Sequence, residues 1–473
     1  MKRIILVMLT AFGLLQLACY KDKGNYNYKV LEEPQVTNLD TLYRVLIGDT
    51  LRVKPTITSA NPNAQLSFQW SISFPKEFRD TTILGSELKF AFRLTPDRYV
   101  ARLTITDNST GMNYFHKINI DGVTEYSAGT LVLSLEGNTS QLSFVRPDST
   151  VVPRVYRTMH GVDLPGGPQQ IINLIHKFIT PTPPLGFWIT GSETNDAGVQ
   201  ISSNTLLKIK SLRGNFFDLP DSAKPGYLES SPNGVLQGVI NGKLFLGSSY
   251  TYYGSDVYGM FSLPTPGDYT LYKRAAFNSV MPYFIGYDIN RKQVVAFTNF
   301  GAPAYAGTGY QVTDITPFDP KNLQLDLQHF QQINDNNCFA FGKAADGTVY
   351  EVKFGVAFMG FIQLSPVYKR AFPQQALITP TTKWDGSPGE IFYFTSGDKV
   401  YRYNPANQEV KPLITDFGGK AVTMVKIIDN GNTLVAGVDG TVYFLNVSTG
   451  KFGDVLKKYT GIPGSPIDVA VKN

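Results

Sequence analysis

"DGTVYEV" at residues 346–352 and "DGTVYFL" at residues 439–445 are nearly the same heptapeptide. Each opens on an Asp-Gly pair, a strong signal for a tight hairpin turn, and continues with the apolar-polar alternation of a half-buried strand. "GDKVYRY" at 397–403 is a third copy between them. Looser copies precede these: "SQLSFVR" from 140, "NTLLKIK" at 204–210, "SDVYGMF" at 255–261 and "GYQVTDI" from 309. Taking Leu142, Leu207, Tyr258, Gln311, Tyr350, Tyr401 and Tyr443 as equivalent points, successive copies lie between 39 and 65 residues apart.

Every copy follows another apolar run: "GTLVLSL", "GFWITGS", "GKLFLGS", "KQVVAFT", "NCFAFGK", "EIFYFTS" and "NTLVAGV". That makes seven hairpins, and flanking runs such as "GVLQGVI" before and "DYTLYKR" after complete four-stranded units. Such a period is the signature of β-propeller blades. The reading is an all-β chain whose residues 127–473 form a propeller, with seven blades as the leading count and six or eight as the alternatives. "IDVAVKN" at 467–473 has no hairpin after it. It fits as the innermost strand of the first blade, whose hairpin starts at Gly129, and so removes an open sheet edge.

Residues 30–123 form a separate unit. "LSFQWSI" puts Leu66, Phe68, Trp70 and Ile72 on one face, and "YVARLTIT" puts Tyr99, Ala101, Leu103 and Ile105 on one face. "TDNSTG" at 106–111 supplies a turn before a last strand, "NYFHKINI". Short alternating strands around one tryptophan suggest an immunoglobulin-like sandwich with Trp70 in its core. "YVARLTITDNSTG" resembles the late strands of polycystic-kidney-disease (PKD) repeats.

The N-terminus reads as an address. Lys2 and Arg3 precede the apolar run "IILVMLTAFGLLQLA", and Ala18 precedes Cys19. The run is shorter than the roughly 20 residues a membrane-spanning helix needs, and its layout is that of a secretory leader. Residues 1–18 are expected to be a lipoprotein signal peptide and 19–29 a polar tether. Cys19 is the expected lipidation site, where acyl chains of the palmitate kind would contribute about 0.8 kcal/mol per buried CH₂. Cys338, in "NNCFAFG", is expected to be a buried core residue.

Composition agrees with a β-rich, turn-rich chain. Of 473 residues 42% are hydrophobic and only 17% charged, with 43 Gly and 29 Pro. The formal charge of +5 becomes +3 once Lys2 and Arg3 leave with residues 1–18. No dense Lys/Arg block is present, so a nucleic-acid partner is not expected.

With the strands of each blade labelled a to d, the b–c connections are short in the last three blades ("AADG", "SGD", "GVDG") and long in blades 2 to 4 ("GSETNDAGVQISS", "SSYTYYGS", "NFGAPAYAGTG"). Long loops on a rigid scaffold are where recognition is built. Tyr250, Tyr252, Tyr253 and Tyr305 fall on them and are the ligand-binding candidates, since tyrosine offers a flat apolar face and a hydroxyl. Glu193 and Asp196 on the blade 2 loop and Asp256 beside the blade 3 loop are the acids a hydrolase would need. Solvated loop acids are the commoner explanation. The four histidines, His116, His160, His176 and His329, lack metal-ligand spacing. The Asp-Gly pairs at 346 and 439 are read as turns rather than calcium sites. No catalytic residue, metal or cofactor is assigned.

Taken together, "ACYKDKGNYNY" at the start, the single PKD-like sandwich and the repeat-rich remainder resemble the PKD-like family of bacterial surface lipoproteins. The resemblance implies an outer-membrane lipoprotein on the extracellular face, similar to accessory components of glycan-harvesting uptake systems in Gram-negative bacteria. It carries over no functional residue beyond Cys19. The leading expectation is a non-enzymatic protein that binds a glycan or peptide. The alternatives are a propeller hydrolase or lyase acting on polysaccharide, and a structural protein docking a transporter partner.

Overall fold

The computed structural model describes residues 33–472 apart from 75–78, 179–185, 252–254, 279–280, 282, 301 and 335. The chain divides into two compact units at Gly122/Val123. Cys19, its leader and its tether lie outside the described residues.

The first unit is a β-sandwich. Its larger sheet orders strands Leu42–Leu46, Met112–Val123, Arg98–Asp107, Leu66–Phe74 and Arg79–Leu84. Two-stranded pairs, Thr50–Val53 with Leu88–Ala91 and Gln35–Thr37 with Thr56–Thr58, complete it. The inward row is as read from the alternation: Trp70, Ile72, Tyr99, Ala101, Leu103 and Ile105 are buried, and Leu66 and Phe68 pack at the margin. Trp70 is fully enclosed and its Nε1 donates to the Ser86 carbonyl at 3.3 Å. In the turn, Asp107 Oδ1 accepts from the Ser109 amide at 2.9 Å.

The second unit is a propeller of seven sheets. Strand c begins in successive blades at Thr139, Gly198, Lys243, Gln293, Val349, Lys399 and Thr441. Blade 1 takes strand a from the far end of the chain, since Ser465–Lys472 pairs antiparallel with Gly129–Glu136. The ring is therefore closed by strand exchange at the expected place. The Asp-Gly pairs are tight turns: Asp346 Oδ1 accepts from the Thr348 amide at 2.9 Å, and Gly347 and Gly440 have φ of 90° and 78°, which glycine adopts without strain. Cys338 is fully buried in strand b of blade 5, and its desolvated thiol is pushed up in pKa.

Blades 1, 5, 6 and 7 carry the strands as read. Blades 2 to 4 do not. In blade 2, Gly198–Ile201, read as loop, is strand c, and Lys208–Ser211 is strand d. In blade 3, "GVLQGVI" supplies strand b and "GKLFLGS" strand c, joined by the Asn241-Gly242 turn with φ of 50° and 72°. "SDVYGMF" is a turn, of which only Phe261 bridges to the sheet. In blade 4, Tyr283–Asp288 and Gln293–Phe300 are strands b and c, and Ala302–Gly307 is strand d. "DYTLYKR" leads into the inner strand of blade 4, and Gln311–Val312 adds a parallel fifth strand to blade 5. A six-residue helix, Val155–His160, follows blade 1 without having been expected.

A circuit of hydrogen bonds joins each inner strand to the next blade. The Ile171 amide donates to Asp468 Oδ2 at 2.7 Å, linking blades 2 and 1. The Gln170 amide group both donates to the Leu228 carbonyl and accepts from its N–H, at 2.8 and 3.2 Å, linking blades 2 and 3. The Tyr227 amide reaches the Lys273 carbonyl at 2.6 Å, linking blades 3 and 4. The Tyr272 hydroxyl donates to the Gln328 carbonyl at 2.7 Å, linking blades 4 and 5. Gln331 Nε2 donates to Asp385 Oδ1 at 3.1 Å, and the Ile427 amide to Asp385 Oδ2 at 2.7 Å, carrying the circuit through blades 5, 6 and 7. Lys426 Nζ closes it onto blade 1 through Asp468 Oδ1 at 2.8 Å and the Val469 carbonyl at 2.7 Å.

Removing the shared acceptor at the seam leaves the Ile171 and Val469 amides and the Lys426 ammonium short of a partner. Orphaning such groups typically costs about 3 kcal/mol. Asp468→Ala is expected to lower the denaturation midpoint accordingly, followed by the fluorescence of the buried Trp188 and Trp384, whereas Asp468→Asn, which keeps an acceptor, should lose about half as much. Equal midpoints for wild type and Asp468→Ala would remove the seam from the stability of the ring.

Candidate ligand-binding groove

The corrected strand order decides where the recognition candidates sit. Strands alternate in direction, so b–c turns lie on one face of the ring and a–b and c–d connections on the other. Blade 3 has three strands rather than four among the described residues, and Tyr250 lies on the chain that leaves strand c, on the face opposite to the one expected. Tyr252 and Tyr253 lie outside the described residues. Tyr305 is not on a loop: it sits on strand d of blade 4, half-buried, with its ring 4.7 Å from Tyr269 and 5.3 Å from Phe297. It packs the blade and is not part of an exposed patch.

Around Tyr250 the structure brings together residues that the sequence reading did not single out. A groove of about 540 Å³ is lined by Phe178, by described residues of the a–b turns of blades 3 and 4, by the chain that leaves strand c of blade 3, and by Asn299, Ala302 and Pro303 at the ends of strands c and d of blade 4. Its apolar members are conspicuously uncovered: Tyr250 is 78% exposed, Leu263 76% and Phe178 71%, with Phe217 and Met281 also exposed. Single exposed apolar side chains need no explanation, but a contiguous set in a concavity marks a binding surface. Between them stand the amides of Asn233, Gln237, Asn278 and Asn299 and the hydroxyls of Ser248 and Ser249. None of the described lining residues is charged.

The polar members are held in place. Tyr258 donates its hydroxyl to the Asn233 carbonyl at 2.6 Å, and Asn233 Nδ2 donates to Ser249 Oγ at 3.3 Å. Gln237 Nε2 donates to Glu229 Oε1 at 3.0 Å, behind the groove wall. Burial pushes Glu229 up to about 7, outweighing the Gln237 hydrogen bond and the positive charges of Arg274 and Lys177. These links place the groove amides with little rotamer freedom, which is what a preorganised site requires.

The sequence acids are not gathered. Glu193 sits on the b–c turn of blade 2 and Asp256 in a turn of the chain that leaves strand c of blade 3, at opposite ends of the strands. Asp196 Oδ1 is taken up by the Arg213 amide at 2.9 Å. The fully buried carboxylate of Glu351 is satisfied by Tyr368, Tyr403 and Arg370 at 2.8, 2.5 and 2.8 Å. The histidines lie on separate elements. His329 stacks on Trp384 with 5.9 Å between ring centroids, and burial lowers it to about 3, so it is neutral in the folded protein. Among the described residues no group of three or more His, Cys, Asp or Glu could hold a metal ion.

Comparison with known proteins places these observations. The PKD-like family matches residues 19–168. No curated protein matches the chain. Among solved structures, a quinonprotein alcohol dehydrogenase-like protein from Bacteroides thetaiotaomicron is 15% identical, with 93% of this chain and 99% of that one covered and a TM-score of 0.43. A functionally unknown protein from Desulfotomaculum acetoxidans is 12% identical over 73% and 99% of the two chains, with a TM-score of 0.42. The dihydro-heme d1 dehydrogenase NirN is 10% identical over 78% and 72%, with a TM-score of 0.39.

Glu229 gives the groove wall a pH signature. A carboxyl whose folded pKa lies above its unfolded value is accommodated best when protonated. Its favourable contribution is complete below about 4.5 and is lost as pH rises through about 7. Glu229→Gln removes that loss, so the stability of the variant relative to wild type should rise between these limits, by at most about 3 kcal/mol. Thermal melts at several pH values check this; a difference that stays flat across the window would mean Glu229 is not held in a protonation-sensitive setting.

Proposed function

We propose that this chain is a lipid-anchored protein of the outer-membrane surface that binds glycans without turning them over, as an accessory of a nutrient-uptake system. The groove beside Tyr250 carries the reading. Exposed aromatic and aliphatic side chains offer faces for sugar rings, interleaved amides and hydroxyls offer donors and acceptors for sugar hydroxyls, and the absence of charge among the described lining residues suits a neutral glycan. A hydrolase would need a pair of acids across such a groove. Ala18 and Cys19, behind an apolar leader, support the anchor, and the polar stretch 20–29 supports a tether in the chain order anchor, tether, sandwich, propeller. Among the described residues no helix is long and apolar enough to cross a membrane.

A glycan array probed with the soluble form starting at Lys21, read for both retention and product release, tests the groove. Retention of neutral glycans without release is expected, and Tyr250→Ala should weaken the best of them about tenfold, the loss of ~1.4 kcal/mol. Release of shortened products would overturn the non-enzymatic reading, and unchanged affinity in Tyr250→Ala would remove the groove from it. Cys19→Ala in the full chain is expected to move the protein from the membrane fraction to the soluble one; its retention in the membrane would exclude the lipid anchor.

A further inference from the structure

The inner strands line a second, open cavity of about 420 Å³ about the axis of the propeller. Its chemistry differs from that of the groove, since Arg274, Asp385, Lys426 and Asp468 all line it. Most of this charge is committed to the circuit that holds the blades together. Asp468 neutralises Lys426 at 2.8 Å and accepts from two backbone amides. Asp385 accepts from the Ile427 and Gly386 amides and from Gln331 Nε2, at 2.7, 2.9 and 3.1 Å.

Arg274 is the exception. Its guanidinium lies over the Tyr227 ring, 4.1 Å from the ring centroid. Among the described residues it makes no side-chain hydrogen bond and no ion pair. A guanidinium over an aromatic face, with none of its N–H groups taken up by a described residue, has its planar fork available to a planar carboxylate through two parallel bonds. Lys426 lines the same cavity, with 30% of its side chain exposed. Two of its ammonium protons are used by Asp468 and the Val469 carbonyl, which leaves one donor over.

We propose that the central channel is a binding site for a small monocarboxylate, gripped by Arg274 on its Tyr227 platform with Lys426 as second donor. Size and charge both narrow the ligand. The cavity falls within the range of small-molecule pockets and exceeds what a bare inorganic anion would fill. The formal charges of Arg274, Lys426, Asp385 and Asp468 sum to zero, so the cavity has no surplus of cations to favour a dianion such as phosphate, and the planar guanidinium fork matches a carboxylate.

The test uses the protein without alteration first. Phenylglyoxal modifies accessible arginines, and peptide mapping reads Arg274 directly. Acetate, benzoate and glucuronate are the probes, with glucose and inorganic phosphate as comparators. At least one monocarboxylate is expected to slow modification of Arg274 several-fold, while glucose and phosphate leave it unchanged. Calorimetry with that monocarboxylate should show a tenfold to hundredfold loss of affinity in Arg274→Gln, with Arg274→Lys in between. Failure of every monocarboxylate to protect Arg274 overturns the proposal. Equal protection by phosphate overturns the carboxylate assignment, and undiminished affinity in a folded Arg274→Gln protein overturns the role of this residue.

Discussion

The carboxylate of Asp468 takes hydrogen bonds from three donors at once: the amides of Ile171 and Val469 and the ammonium of Lys426. Those donors belong to blades 2, 1 and 7, so one side chain spans the place where the ring closes. A blade alone is a small twisted sheet with two edges and too little apolar area to hold itself together. Stacking the sheets around an axis buries their faces against one another, as in the clusters that join Tyr393 and Leu413 of blade 6 to Leu434 and Leu445 of blade 7. That apolar packing fixes how closely the blades approach but is poor at fixing their number. The directional bonds between inner strands supply the register that packing lacks.

The same division of labour separates the two cavities. Inner-strand polar groups are spent on neighbouring blades, so the channel is charged, and only a group surplus to the circuit is left facing its space. On the face formed by the a–b and c–d connections no such circuit is needed. There the chain places apolar side chains and amides that touch solvent, and the groove is consequently neutral. Burial has a third effect in between, at Glu229, where a carboxyl behind the groove wall is held near its point of half-protonation at neutral pH.

Much of the architecture was legible from hairpin chemistry. Asp346-Gly347 and Asp439-Gly440 are turns whose glycines need positive φ, and they anchored the strand lettering in blades 5 and 7. In blades 3 and 4 the strands lie one letter away from their sequence reading, and in blade 2 an unread strand c makes "NTLLKIK" strand d, because the turns there carry weaker or competing signals. Asn241-Gly242 is a hairpin turn of the strongest kind and joins strands b and c, but "SDVYGMF" imitates the alternation of a strand and so points to a later hairpin. Gly259, with φ of 78°, breaks that imitation by turning the chain back towards Ser248. The shift moved Tyr250 to the opposite face and Tyr305 into a sheet. The channel residues had a signal of their own, a charge set inside an apolar inner strand, as Lys426 in "VTMVKII" and Asp468 in "IDVAV". Nothing in one sequence tells which of such charges will meet across the axis.

Strand exchange in blade 1 brings Leu131 opposite Ala470. Contacts so remote along the chain are slow to form, because almost the whole propeller must be ordered before they yield any stabilisation. Until residue 472 has been synthesised the disc has a gap, and strand b of blade 1 shows an unpaired edge that could recruit another chain. The biogenesis of this protein therefore has a late, all-or-none step, and its vulnerable interval is the one just before that step.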